Sequence, residues 1–220
     1  MSEQHREGPS VAQGVARAKS WNFAPPVGDL VTKELMTQQL AEFLGNSENF
    51  TIKKIGESCL RRISVPVDDV TDVIWQKLRD EMLKKLLQAG GIGIAAPQVG
   101  VNARCCIVDL PPCVGIGDVN VLRFNGRNLL HEKKMLPRLF MLNPQITEKS
   151  TQLRGLPEGC LSVPERRAGD VMRPWQVTVE FFDCDGKKNV VIADGYAGRC
   201  CQHEIDHLDG ILYVDYLQNL

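Results

Sequence analysis

Near the end of the chain stand His203, Glu204, Ile205, Asp206 and His207. In an α-helix, residues i and i+4 share a face one turn apart, so both imidazoles can reach one metal ion. Glu204, one position further round, can reach a water on that ion without becoming a ligand. Hydrolysis needs this division of labour. A Lewis acid makes hydroxide available at neutral pH while a nearby carboxylate moves the proton. The chain has 4 histidines, and two of them sit here.

An open catalytic site takes about three protein ligands and leaves one position for water. Downstream of His207 only Asp209 and Asp215 offer carboxylates, and Tyr213 stands where one class of metalloproteases carries its third histidine. The third ligand is therefore expected upstream. Cys160, in the run Glu158-Gly159-Cys160-Leu161-Ser162, is the best candidate, because glycine admits close approach and a metal-bound thiol is deprotonated. Cys200 competes, one turn before His203 on the same helix face. A third element is Gly91-Ile92-Gly93-Ile94-Ala95-Ala96-Pro97-Gln98. It lacks the preceding strand and the third glycine of a dinucleotide loop. A tight glycine turn presenting Gln98 fits better, since a carboxamide can donate to a developing oxyanion.

Other elements must position these groups. Apolar residues at helical spacing predict an amphipathic helix over 29–44 and a second over 68–90. Asp68 and Asp69 lie at the second helix's start, and Gly90 at its end. Strand-like runs fall at 104–109, 139–142, 177–183 and 189–193, with a hairpin turn at Asp183-Cys184-Asp185-Gly186. The last helix is expected over 195–209. Residues 111–137 read as a surface insertion, and 1–28 as loosely ordered around Gly8-Pro9-Ser10 and Pro25-Pro26.

Composition narrows the function further. The 220 residues carry 26 basic and 27 acidic side chains, a balance that gives no support to direct nucleic-acid binding. No apolar run reaches the roughly 18 residues of a membrane span, and the polar start is unlike a secretory signal. The 8 cysteines form no Cys-x-x-Cys pair, so they read as buried free thiols of a reduced, intracellular protein.

Residues 91–98, 158–162 and 202–210, in that order, closely resemble the three motifs of peptide deformylases. The resemblance covers 50–216. It implies an α+β fold in which antiparallel β-sheets surround a central metal-binding helix in one catalytic domain. That domain would span 51–220, behind an extension over 1–50 that carries one amphipathic helix. The implied activity is removal of the formyl group from the N-terminal formylmethionine of nascent polypeptides, releasing formate.

The same resemblance implies that Cys160, His203 and His207 bind one divalent metal, Fe2+ by expectation, with Zn2+ or Ni2+ as substitutes. Glu204 would move the proton, while Gln98 and the backbone N–H of Leu161 would hold the oxyanion. Gly93 and Gly159 would bind the peptide as an added strand, and Ile92, Leu156 and Cys200 would wall the methionine pocket. Glu158 belongs with this substrate-facing group and, with Arg167 and Asp206, supplies supporting polarity; Asp206 could orient a ligand histidine. The implied partners are formylated nascent peptides, met at the ribosome by a monomer or weak dimer with no membrane contact. The extension and the cysteines lean towards a mitochondrion or another organelle, with bacterial cytoplasm as the alternative. A metallopeptidase or a closed, metal-stabilised binding module would instead need a further ligand, from downstream or from Cys200.

Overall fold

Strands whose residues are apolar without alternation must be covered on both faces. Cys105, Cys106, Ile107 and Val108 make such a run, and all four are buried. A computed structural model of the chain describes residues 30–110, 119–131 and 137–217, with the side chains of 165–169 outside that description. In it, β2 (Cys105–Val108) pairs antiparallel with β1 (Gly93–Ala95) and β5 (Leu139–Lys149). Cys105, Ile107, Phe140 and Leu142 face one helical layer, while Cys106, Val108, Leu139 and Met141 face another. The period of two along each strand divides one sheet between two cores.

The sheet continues through β8 (Gln176–Phe182) and β9 (Lys188–Asp194) to β3 (Leu122–Phe124) and β4 (Arg127–Asn128), every neighbour antiparallel. On one face lie α1 (Lys33–Gly45) and α2 (Val73–Ala89), joined through Met36, Leu40, Phe43, Leu78, Met82 and Leu86. On the other lies α3 (Gly195–Leu208), whose Ala197, Cys200, Cys201, Ile205 and Leu208 pack on Val177, Val179, Val191 and Ala193. The helix approaches β9 closely enough that a Cβ on Gly198 would stand 2.6 Å from the Ala193 carbonyl oxygen. Glycine is needed there so that the two metal-reaching turns of α3 lie against the sheet. A second sheet, the hairpin of β6 (Leu153–Cys160) and β7 (Val163–Pro174), stands apart and carries Cys160 at its end.

This is the expected α+β architecture, with several differences of detail. The second helix begins later than Asp68 and Asp69. Asp72 caps it by accepting from the Ile74 N–H at 2.9 Å, while the Asp69 side chain is occupied by Thr71. The strand expected over 139–142 runs on to Lys149, because a bulge absorbs Asn143 and Pro144, residues that read as a break. Asn143 takes φ 49° there, and its carboxamide bonds both the N–H and the C=O of Val67. The middle of the expected insertion extends the main sheet, with Leu122 and Leu129 buried against it. The rest of the insertion, at 111–118 and 132–136, lies outside the described residues, as do 1–29. The hairpin β6–β7 has no counterpart among the expected strands.

Phe43 is wholly buried and meets Phe50 edge-on at 5.3 Å between ring centroids. The helix α1 thus shares one core with α2 and the main sheet. Phe43→Ala is expected to cost about 3–5 kcal/mol in urea unfolding. A loss below about 1 kcal/mol would mean that α1 contributes no core.

Candidate metal centre

α3 presents His203 and His207 on one face, ring centroids 5.0 Å apart, and the β6–β7 hairpin brings Cys160 to them. One ligand atom from each of these three residues lies within 4.8 Å of the others. Cys160 Sγ stands 3.2 Å from His207 Nε2 and accepts from the Ser162 N–H at 3.4 Å. Burial opposes ionisation of this thiol. His207 and His203 beside it nonetheless hold it well below the usual thiol range. A stabilised thiolate with two imidazoles is a donor set for a soft or borderline divalent ion.

The orientation of His203 fits the same role. Its Nδ1 lies 2.8 Å from Glu158 Oε2, which fixes Nδ1 as the protonated nitrogen and leaves the Nε2 lone pair for an ion. On its other side the ring stacks on buried Tyr213, 6.0 Å away and 24° from parallel. His207 Nδ1 is buried without a hydrogen-bond partner among the described residues. The three side chains fit a metal ion.

Glu158 is itself held from three sides. Arg173 donates Nε to Oε1 at 2.6 Å and Nη2 to Oε2 at 3.1 Å; Arg199 donates Nη1 to Oε1 at 2.6 Å. Burial works against its charge, but the bonds from His203 and Arg173 hold its carboxyl far below the usual carboxylate range. These donors engage both oxygens of the carboxylate behind His203, and Glu158 also lies among the residues lining the cavity described next. The orienting role expected of Asp206 falls to Glu158. Asp206 instead accepts from Arg173 Nη1 at 2.6 Å and from the Tyr216 hydroxyl at 2.9 Å.

Beside the triad opens a cavity of about 760 Å³, lined by Cys160, His203, Glu204, Gln98, Gly93 and Ile92 among others. Glu204 is 4% exposed and its Oε2 has no hydrogen-bond partner among the described residues. Burial pushes its pKa up to about 7, against the pull of His203 and His207. A Cβ built on Gly93 would overlap the Glu204 carboxylate, so the glycine turn is what lets backbone and acid meet. The Ala95 N–H donates to Gln98 Oε1 at 2.8 Å, which turns Nε2 towards Ser162 Oγ at 3.1 Å and Cys160 Sγ at 3.6 Å. The carboxamide is thereby aimed at the sulfur.

Of the other expected residues, Gly159, Leu161 and Cys200 line the cavity, and Lys54 Nζ donates to the Leu161 carbonyl at 2.7 Å. Leu156 is not among the lining residues; it pairs with Val171 in the hairpin. The Cys200 thiol points to the Ile92 carbonyl at 3.7 Å and does not join the metal-reaching group. Asp209 and Asp215 are engaged by Arg104 and Arg61 at 2.6 and 2.5 Å, so neither rival downstream donor faces the histidines. The Arg167 side chain lies outside the described residues. Sequence reasoning missed Arg173, Arg199 and Tyr216, and singled out Tyr213 without its stacking on His203. Only Arg199 carried a signal, its i, i+4 relation to His203.

The family model for polypeptide deformylase matches residues 50–220. Peptide deformylase 2 of Gloeobacter violaceus is 39% identical over 168 residues, 76% of this chain and 79% of that one. Peptide deformylase of Rhodopseudomonas palustris is 41% identical over 161 residues, covering 73% and 81%. Among solved structures, a class I type b peptide deformylase from Acinetobacter baumannii bound to Met-Ala-Ser superposes with a TM-score of 0.63 at 33% identity. It covers 76% of this chain and 97% of that one.

Cys160→Ser is expected to lower tightly bound divalent metal per chain by at least about tenfold, measured by elemental analysis after dialysis. Cys200→Ser should leave it unchanged. Equal metal content in wild type and Cys160→Ser would exclude this sulfur as a ligand.

Proposed function

The chain belongs to the polypeptide deformylase family, and on that premise we propose which of its atoms carry the reaction. The family's activity is hydrolytic removal of the formyl group from the N-terminal formylmethionine of nascent polypeptides, and this chain is a metal-dependent hydrolase of that kind. Water adds to the formyl carbon, the carbon–nitrogen bond breaks, and formate and the free methionine amine leave. The observation that carries our assignment of residues is the buried Glu204 Oε2, without a hydrogen-bond partner among the described residues, in the cavity beside the Cys160–His203–His207 group.

Cys160, His203 and His207 would hold the ion. When bound, it supplies a Lewis acid that makes water nucleophilic near neutral pH and polarises the formyl carbonyl. The proton work belongs to Glu204. Among the described residues no hydrogen bond competes for its Oε2, so it would take a proton from the attacking water and return it to the departing amine. Gln98 Nε2 and the N–H of Leu161 would hold the oxygen on which negative charge grows. Gln98 is 1% exposed and locked by Ala95, so its donor is set before substrate arrives. The backbone groups of Gly93 and Gly159 would take the peptide as an added strand, with Ile92 and Cys200 against its first side chain. The peptide Met-Ala-Ser in the Acinetobacter baumannii relative supports a site for an N-terminal methionine.

Ferrous iron is our assignment for the native ion, with zinc or nickel able to replace it; thiolate plus imidazole suits iron and zinc alike. We place the enzyme as a monomer or weak dimer acting near the ribosome, in a mitochondrion or comparable organelle rather than bacterial cytoplasm. The 1–50 extension, outside all but the first residue of the family match, supports that address, and 51–220 would be the catalytic domain.

Formate release from a formyl-Met peptide by anaerobically prepared protein tests the reaction. Glu204→Ala should keep its metal and lose about two or more orders of magnitude in kcat; wild-type turnover would remove Glu204 from the mechanism. Gln98→Leu should raise the barrier by about 3 kcal/mol. An unchanged rate would leave Gln98 a structural residue only.

A further inference from the structure

Gln98 and Leu161 come from different elements. Gln98 lies in the short helical turn Ala96–Val99 after β1, and Leu161 in the turn that joins β6 to β7. To act on one oxygen, the carboxamide and the N–H must keep a fixed separation. The segment 53–55 fastens the two turns to each other. The Lys53 N–H donates to the Gln98 carbonyl at 2.8 Å and the Ile55 N–H to the Ser162 carbonyl at 2.9 Å. Between them, Lys54 Nζ donates to the Leu161 carbonyl at 2.7 Å. The segment is closed on itself as well. The Lys54 N–H donates to Glu57 Oε1 at 2.7 Å, the Glu57 N–H donates back to the Lys54 carbonyl at 3.0 Å, and Gly56 between them takes φ 103°.

Two of the three fastening bonds run through main chain and are indifferent to side-chain type. Lys54 makes the third with its side chain, and that bond lands on a peptide plane with a second duty. The plane between Leu161 and Ser162 accepts from Lys54 at its oxygen and donates from its N–H to Cys160 Sγ, 3.4 Å away. In a trans peptide these two groups point in opposite directions, so a donor fixed on the oxygen also fixes the N–H. A cationic donor polarises the amide and strengthens its N–H towards an ionised sulfur. The Leu161 side chain packs against the core shared by α1 and α2. With side chain and carbonyl both held, Leu161 has little freedom to turn its own N–H away.

We propose that Lys54 is a positioning residue for the reaction: by holding the Leu161 carbonyl it aims the Leu161 N–H at the growing negative charge and the Ser162 N–H at the Cys160 sulfur. Lys54 is exposed at the wall of the cavity, so its ammonium needs no buried counter-ion and its replacement leaves the core untouched. This deepens the reading of Gln98 and Leu161 as the oxyanion donors and rests on it.

The test uses Lys54→Met, which keeps the stem and removes the donor, and Lys54→Arg, which keeps a donor of similar reach. With formyl-Met-Ala-Ser, Lys54→Met should lower kcat by about tenfold while KM stays within about twofold of wild type. Lys54→Arg should recover most of that loss. In hydrogen exchange of the metal-loaded proteins, the amides of 160–163 should exchange about tenfold faster in Lys54→Met, with those of 105–108 unchanged. Melting temperature and metal content should match wild type in both variants. Wild-type kcat or wild-type exchange in Lys54→Met would overturn the proposal. So would a raised KM at unchanged kcat, which would put the ammonium on the peptide instead, or a loss that Lys54→Arg does not relieve. The oxyanion reading has its own arm, because an unchanged rate in Gln98→Leu counts against it alone. Exchange at 160–163 needs no turnover and still decides whether Lys54 holds the turn.

Discussion

One buried carboxylate holds the site together. Glu158 receives His203 on one oxygen and two arginines around both, and these donors come from two separate elements. His203 and Arg199 belong to α3, Arg173 to β7, and Glu158 to β6. The metal-reaching residues divide along the same line, with Cys160 on the hairpin and both histidines on the helix. The distance between sulfur and imidazoles is thus set by the bonds that fasten hairpin to helix. No local sequence preference could fix it.

Burying so many charges is costly unless their sum is small and every lone pair is met. Arg173 and Arg199 together face Glu158 and Asp206, with Arg173 bridging the two carboxylates at 2.6 Å to each. Two cations against two anions balance, provided His203 stays neutral and donates from Nδ1. The Tyr216 hydroxyl takes a place on Asp206, and its ring lies 4.5 Å from the Arg173 guanidinium carbon. The turn that follows α3 therefore seals the network from below, while Tyr213 in the same turn stacks on His203. Arg199 Nε has no hydrogen-bond partner among the described residues, but the donors gathered on Glu158 are enough to hold His203 to one tautomer.

Much of this was legible in the sequence, and the illegible parts share a cause. Histidines four apart on a helix announce themselves, because the helix fixes their relation through local geometry alone. Glycine beside Cys160 and the glycine turn before Gln98 are local signals too, and the structure brings all of these residues to one cavity. The hairpin β6–β7 was not visible. Leu153–Cys160 and Val163–Pro174 are rich in glycine, proline and charge, and the pairing of the two strands with each other makes them strands. Once that hairpin is missed, Arg173 cannot be placed, and the anchor of Glu158 is lost with it. The same gap explains why Asp206, adjacent in sequence to a ligand histidine, seemed the natural orienter. On the helix it points to Arg173 and Tyr216, and a residue 45 positions away from His203 performs the task instead.

Leu156 and Arg199 show the same lesson with opposite signs. An apolar residue two positions before Glu158 was a reasonable wall, since strict alternation puts the two on one face, yet a register shift falls between them and Leu156 is absent from the cavity lining. A buried arginine is unexpected beside a cavity, yet the helix places Arg199 one turn from His203, where Glu158 meets its charge. Side-chain type decides what a residue can do only after the backbone has decided which way it points. In this chain the residue that anchors the metal ligand's partner is also one that the cavity touches. A change at Arg199 therefore reaches Glu158, and through it the orientation of His203, as well as the wall of the cavity.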